Sequence, residues 1–86
     1  MYYVYILKSL SSGRMYTGFT RDLRKRLSEH RDGHRGWTAY RRPHQLIYYE
    51  ACLDERDAKS REIYLKSGMG KRFLRNRLKR FLSLTG

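Results

Sequence analysis

Apolar and aromatic residues fill the start of the chain, Y-Y-V-Y-I-L-K-S from Tyr2 to Ser9. Aromatic and β-branched residues in such a run favour an extended strand. Its side chains alternate, with Tyr2, Val4 and Ile6 on one side and Tyr3, Tyr5 and Leu7 on the other. Ser11-Ser12-Gly13-Arg14 is a turn cluster of hairpin length, so Arg14 to Phe19 should return as an antiparallel second strand. The period then changes. Leu23, Arg26, Leu27 and His30 recur at i, i+3, i+4 and i+7, the spacing of a helix face. Thr20 is the N-cap candidate, with Asp22 in the first turn. Asp32-Gly33 should end the helix, Gly33 being suited to the left-handed position after the C-cap.

His34 to Pro43 reads as a basic, glycine-containing loop closed by the only proline. Gln45 to Leu53 reads as a third strand. Asp54, with Asp57 three residues on, is close to a capping box and predicts a helix from Glu55 to Lys66, stopped by Ser67-Gly68. A third helix is expected from Gly70 to about Leu82. Leu74, Leu78, Phe81 and Leu82 keep helical spacing there, and Phe73 widens the stripe. The order is ββαβαα. Helix-length crossover and hairpin together put all three strands in one sheet, an α+β fold with helices packed on it.

Charge narrows the partners. Twenty Lys and Arg against eight Asp and Glu leave +12 on 86 residues, one small domain with 40% hydrophobic residues. Such an excess suits a polyanion, nucleic acid first and an anionic membrane surface second. No apolar run reaches 18 residues and no signal-peptide pattern appears, so a soluble, cytoplasmic protein is expected. Cys52 is the single cysteine, which excludes a disulfide framework and a cysteine-based metal site and leaves it a small core residue.

Two helices carry ionisable groups on apolar stripes. Arg26 and His30 stand one turn apart among leucines, and Glu62 lies between Ala58 and Leu65. Lys59, Arg61 and Lys66 fall off that stripe, as a solvated face should. A buried charge is costly without a partner. Either Arg26 and Glu62 form a structural ion pair, or Glu62 holds a divalent cation through oxygen and Arg26 holds phosphate. Eight tyrosines are a second cluster. Tyr3 and Tyr5 share a face, and Tyr16 precedes Gly18, a strand glycine that suggests close approach by a ligand or another backbone. Tyr2, Tyr48, Tyr49 and Tyr64 read as half-buried structural residues. Arg35, Trp37, Tyr40, Arg41 and Arg42 mix cations with aromatics in a way that suits phosphate contact and base stacking. His34 and His44 read as surface residues. The basic face of the third helix, Lys71 and Arg72 included, suits a nucleic-acid backbone or plain solvation.

Tyr3-Val4-Tyr5 and Tyr16-Thr17-Gly18 resemble the two halves of the GIY-YIG motif. The run G-F-T-R-D-L-R-K-R-L-S-E-H resembles that family's helix, with its arginine at Arg26 and a histidine at His30. K-S-R-E-I-Y-L-K resembles the segment of its metal-binding glutamate, here Glu62. The likeness extends to Arg41-Arg42-Pro43, L-I-Y-Y-E and G-M-G-K-R-F, and is greatest to the small stand-alone bacterial members. It implies a three-stranded antiparallel sheet flanked by three helices. It also implies phosphodiester cleavage with one divalent cation, Mg²⁺ or Mn²⁺. Members include homing endonucleases, the bacterial excision-repair nuclease and Holliday-junction resolving enzymes. On this resemblance Tyr16 is the general base and Tyr5 orients the site. Arg26 stabilises the scissile phosphate, His30 relays or positions protons, and Glu62 binds metal. Tyr3 replaces the motif's first glycine and Thr17 its second isoleucine. Phe19 stands where the repair nuclease has lysine, and the DNA-binding domain of larger members is missing. The expectation is a DNA endonuclease, structure-selective or weakly selective, acting on DNA more than RNA as a monomer or weak dimer. A non-catalytic basic nucleic-acid-binding module on the same fold is the alternative, and a basic protein of a protein complex is the third reading.

Overall fold

The computed structural model describes residues 1–32 and 44–85. Three strands and four helices follow in the order β1 (Tyr2–Ser9), β2 (Met15–Thr20), α1 (Leu23–Asp32), β3 (His44–Cys52), α2 (Glu55–Lys66), α3 (Gly68–Arg77) and α4 (Lys79–Thr85). The expected sheet is present: its order is β2-β1-β3, antiparallel throughout. The hairpin turn closes through Gly13 N–H to Ser9 C=O and Ser9 N–H to Arg14 C=O, both 2.8 Å, with Gly13 at φ +76°.

Val4 and Ile6 point to one face of β1 and are fully buried there with Ala58 and Leu65 of α2 and Leu74 of α3. This is the core. Phe19, Ile47, Tyr48, Tyr64, Phe73 and Leu78 pack around it. Its alternation follows the sequence pattern, because one face of the sheet meets two helices. Tyr5 and Leu7 are buried on the opposite face. Leu23 and Leu27 of α1 are half-buried outside the core cluster, and α1 lies against β3.

Local chemistry explains the boundaries. Asp22, not Thr20, caps α1: its carboxylate accepts from Lys25 N–H at 3.1 Å. Thr20 instead ties the strand end to the cap, its hydroxyl oxygen accepting from Asp22 N–H at 3.1 Å. Asp54 caps α2 as expected, accepting from Arg56 N–H at 2.8 Å. Ser67 serves two helices. Its N–H reaches Tyr64 C=O at the end of α2, and its side-chain oxygen accepts from Gly70 N–H at the start of α3. The expected third helix is broken at Leu78, whose φ −109° and ψ 22° leave the helical region. Its apolar spacing runs across the break, so periodicity alone gave no sign of it.

Arg61 corrects the reading of α2. Rather than facing water, it forms a two-pronged ion pair with Glu50 of β3, with both N–O distances at 2.8 Å. Its guanidinium lies over the rings of Tyr64 and Phe73, at 4.8 and 5.3 Å from their centroids. The Tyr48 hydroxyl donates to Glu50 at 2.9 Å. The Arg61 hydrogen bonds hold the Glu50 carboxyl below its usual pKa, with burial opposing and Tyr48 assisting. Burial and the bond to Glu50 push the Tyr48 phenol up.

Arg61→Ala should destabilise the protein by about 1–3 kcal/mol, since it strands a half-buried carboxylate. The lowered Glu50 pKa means that the pair's contribution is complete above about pH 4.5 and is lost as pH falls through the lowered value. Denaturant melts at pH 7 and pH 3 should therefore show a smaller difference between wild type and variant in acid. An equal difference at both pH values would contradict the pairing.

Candidate active site

Strand register brings the motif tyrosines together. Tyr5 lies opposite Gly18, and Leu7 opposite Tyr16, so Tyr5, Tyr16 and Gly18 share the face away from the core. Gly18 is needed there because a Cβ would overlap the ring and hydroxyl of Tyr5. The close approach inferred from sequence is real, but the neighbour is a buried tyrosine ring and not a ligand or a second backbone. The Tyr5 ring thus lies flat across edge strand β2, two residues from Tyr16.

Arg26 lies near the start of α1, the helix that follows β2. It is half-buried and paired with Glu29 at 3.2 Å. Glu62 sits on the inward stripe of α2 as expected, with 19% of its side chain exposed, and Lys66 holds it at 3.1 Å. No Arg26–Glu62 ion pair forms among the described residues; each finds its partner on its own helix. Helix α2 covers the core face and packs against β2. Tyr16 and Glu62 therefore approach β2 from opposite faces. His30 falls in the last turn of α1, and its side chain lies outside the described residues. Arg35, Trp37, Tyr40, Arg41 and Arg42, with His34 and the Gly33 cap, also lie outside them. Lys71 and Arg72 are exposed on α3.

His44 is the residue the sequence reading misplaced. Its ring stands edge-on to Tyr16, with centroids 5.7 Å apart and planes at 62°. Both ring nitrogens are buried and, among the described residues, make no hydrogen bond. Burial holds its pKa below the ordinary value of 6.5, so the ring is neutral at pH 7. The cause is a register shift in β3 between the partners of Ile6 and Leu7. A one-residue slip flips the following side chains, and it turns His44 onto the tyrosine face. Tyr49, read as a half-buried structural residue, is 53% exposed.

A single carboxylate is a sparse metal ligand set. Among the described residues no three His, Cys, Asp or Glu side chains group closely enough to hold a metal. Hard Mg²⁺ or Mn²⁺ tolerates that, taking one carboxylate and filling its other positions with water and substrate phosphate. Glu62 fits this role: it is an oxygen donor, largely but not wholly buried, that already carries a cation in the Lys66 ammonium.

Comparison with known proteins gives the family. The family profile described as the GIY-YIG catalytic domain matches residues 1–81, and the chain belongs to that family. It is similar to a UPF0213 protein of Clostridium perfringens, 43% identical over 67 residues covering 77% of this chain and 71% of that one. A UPF0213 protein of Desulfotalea psychrophila is 37% identical over 76% of this chain and 60% of its own length. One from Staphylococcus saprophyticus is 37% identical over 77% and 80%. No solved structure matches significantly. The domain places the chain in the GIY-YIG endonuclease superfamily, whose members act on nucleic acid and generally use divalent metal ions. Among the described residues no helix is long and apolar enough to cross a membrane.

Gly18→Ala should cost about 1–3 kcal/mol by forcing the Tyr5 ring from its seat. In a Tyr5→Ala background the same change should cost less than about 0.5 kcal/mol, as removal of the clashing partner requires. Thermal melts of the four proteins check this, and equal costs in both backgrounds would contradict the packing.

Proposed function

We propose that this chain is a divalent-metal-dependent DNA endonuclease, structure-selective or weakly sequence-selective, that serves repair or recombination in the cytoplasm. The observation that supports it most is the meeting of three elements at edge strand β2. Tyr16 lies on the strand with Tyr5 seated on its glycine, α1 with Arg26 starts at its end, and α2 with Glu62 packs against it. The site would lie along the open side of β2, where a phosphodiester can reach all three.

Tyr16 takes the proton of the attacking water, and Tyr5 orients the phosphate beside it. His30 relays or positions protons. Arg26 exchanges Glu29 for phosphate. A partly exposed i,i+3 ion pair is worth only a few tenths of a kcal/mol, whereas two hydrogen bonds to a phosphate are charge-assisted. Glu62 holds Mg²⁺ or Mn²⁺, which when bound would steady charge on the leaving oxygen. Arg35, Trp37, Tyr40, Arg41, Arg42, Lys71 and Arg72 contact the flanking strand. The protein works as a monomer or weak dimer. A second reading, a basic nucleic-acid-binding module without catalysis, is favoured by one observation: Arg26 and Glu62 each already have a partner.

Nicking assays with a mobility-shift control separate the two. Glu62→Ala and Arg26→Ala should each lower Mg²⁺-dependent cleavage by at least about 10²-fold, with unchanged melting within about 0.5 kcal/mol. Cleavage that survives both changes would reject the mechanism. Binding without cutting in any divalent metal would favour the module.

A further inference from the structure

A cleft of about 310 Å³ opens beside the motif face, lined by Tyr3, Arg21, Asp22, Leu23, Arg24 and Tyr49. Neither the catalytic assignment nor the core uses it. Tyr49 lies opposite Tyr5 in the β1–β3 register, so its Cα is one strand spacing, about 5 Å, from the motif tyrosine. A tyrosine in mid-strand is usually covered, yet this one is 53% exposed. Among the described residues its ring neighbour is Tyr3, tilted at 58° with centroids 6.1 Å apart. The second wall is cationic. Arg24 is exposed, Arg21 lays its guanidinium over the Tyr2 ring at 5.5 Å, and Asp22, the one acid of the cleft, already caps α1 through Lys25 N–H.

Aromatic faces flanked by guanidinium groups match an unpaired nucleotide in both chemical parts. The base has a π-face for the phenol ring, and its phosphate carries the charge for arginine. A duplex offers the phosphate but keeps its bases stacked inside. An apolar peptide would leave the Arg24 guanidinium without a counter-charge.

We propose that Tyr49, backed by Tyr3 and flanked by Arg24, is a stacking subsite for one unpaired nucleotide next to the phosphodiester held at Tyr5. The subsite rests on the reading of this chain as a nucleic-acid enzyme, and it narrows the substrate to single-stranded, frayed or branched DNA. The base on Tyr49 fixes the register of the strand, and the neighbouring phosphate falls towards Tyr5. Selectivity for structure thus arises within this domain.

Fluorescence anisotropy in EDTA tests this without any need for cleavage. The probes are a labelled single-stranded oligodeoxynucleotide of about 12 nucleotides and a blunt duplex of the same sequence. Tyr49→Ala should weaken single-strand binding about 5- to 100-fold, the effect of one lost base–aromatic stack, and should leave duplex binding within about twofold. Tyr49→Phe should bind as wild type does, because the ring and not the hydroxyl is used. Arg24→Ala should weaken single-strand binding as well, which tests the cleft through a second side chain. Tyr49 is exposed, and circular dichroism melts of each variant verify the fold. Unchanged single-strand binding by Tyr49→Ala, equal losses on both probes, or a loss in Tyr49→Phe as large as in Tyr49→Ala would overturn the subsite alone. Wild-type protein that binds neither probe would overturn the nucleic-acid reading and the subsite with it. A Tyr49 effect in a protein that cuts nothing would uphold the subsite and reject only the catalytic proposal.

Discussion

The Glu50–Arg61 pair sets the geometry on which the rest depends. Helix α2 rests on the sheet through a narrow apolar stripe, Ala58 and Leu65, with the Lys59 ammonium over the Phe19 ring of β2 at 4.2 Å. Two hydrogen bonds at 2.8 Å from one guanidinium to one carboxylate define an angle as well as a distance. Tyr64 and Phe73 close over the guanidinium, so the same side chain also ties α3 to the sheet. The next residue is Glu62. With Arg61 turned towards β3, Glu62 is set about 100° further round the helix, on the side that packs against β2. A structural ion pair and the carboxylate proposed to hold metal are therefore adjacent in the chain for a physical reason: the first orients the second.

Strand β2 is the other fixed part. It is an edge, and edges are normally protected because their backbone groups invite pairing. Here it carries Tyr16, a glycine that accepts the Tyr5 ring, and the start of α1. In the proposed mechanism, placement at the edge is what would let groups from both faces of the sheet serve one substrate. The positive charge of the chain, +12 with no acidic residue after Glu62, then draws a polyanion towards the molecule over several ångströms before any specific contact forms.

Much of this was legible in the sequence. The alternation of Tyr2 to Ser9, the turn at Gly13 and the Asp54 cap gave β1, the hairpin and α2 with nearly the observed bounds, since each rests on local chemistry. GIY-YIG membership was legible from the spacing of Tyr5, Tyr16, Arg26 and Glu62. Three of the misreadings share one cause: they depend on contacts between distant elements. Arg61 looks solvated on a helical wheel, and only the position of Glu50 across the sheet shows otherwise. His44 looks like a surface residue until the irregularity near Ile47 flips its face. Gly18 signalled a close approach, but strand pairing was needed to name Tyr5 as the neighbour. The break at Leu78 left no trace because the apolar period continues through it.

The position of a divalent ion tests the central claim most directly. Crystals soaked with Mn²⁺ and a non-hydrolysable DNA strand, examined by anomalous scattering, would show it. One Mn²⁺ should bind a Glu62 carboxylate oxygen at about 2.1 Å and share a phosphate with the Tyr16 hydroxyl and the Arg26 guanidinium along the open side of β2. Mn²⁺ bound elsewhere, with Glu62 still on Lys66 and Arg26 still on Glu29, would contradict it.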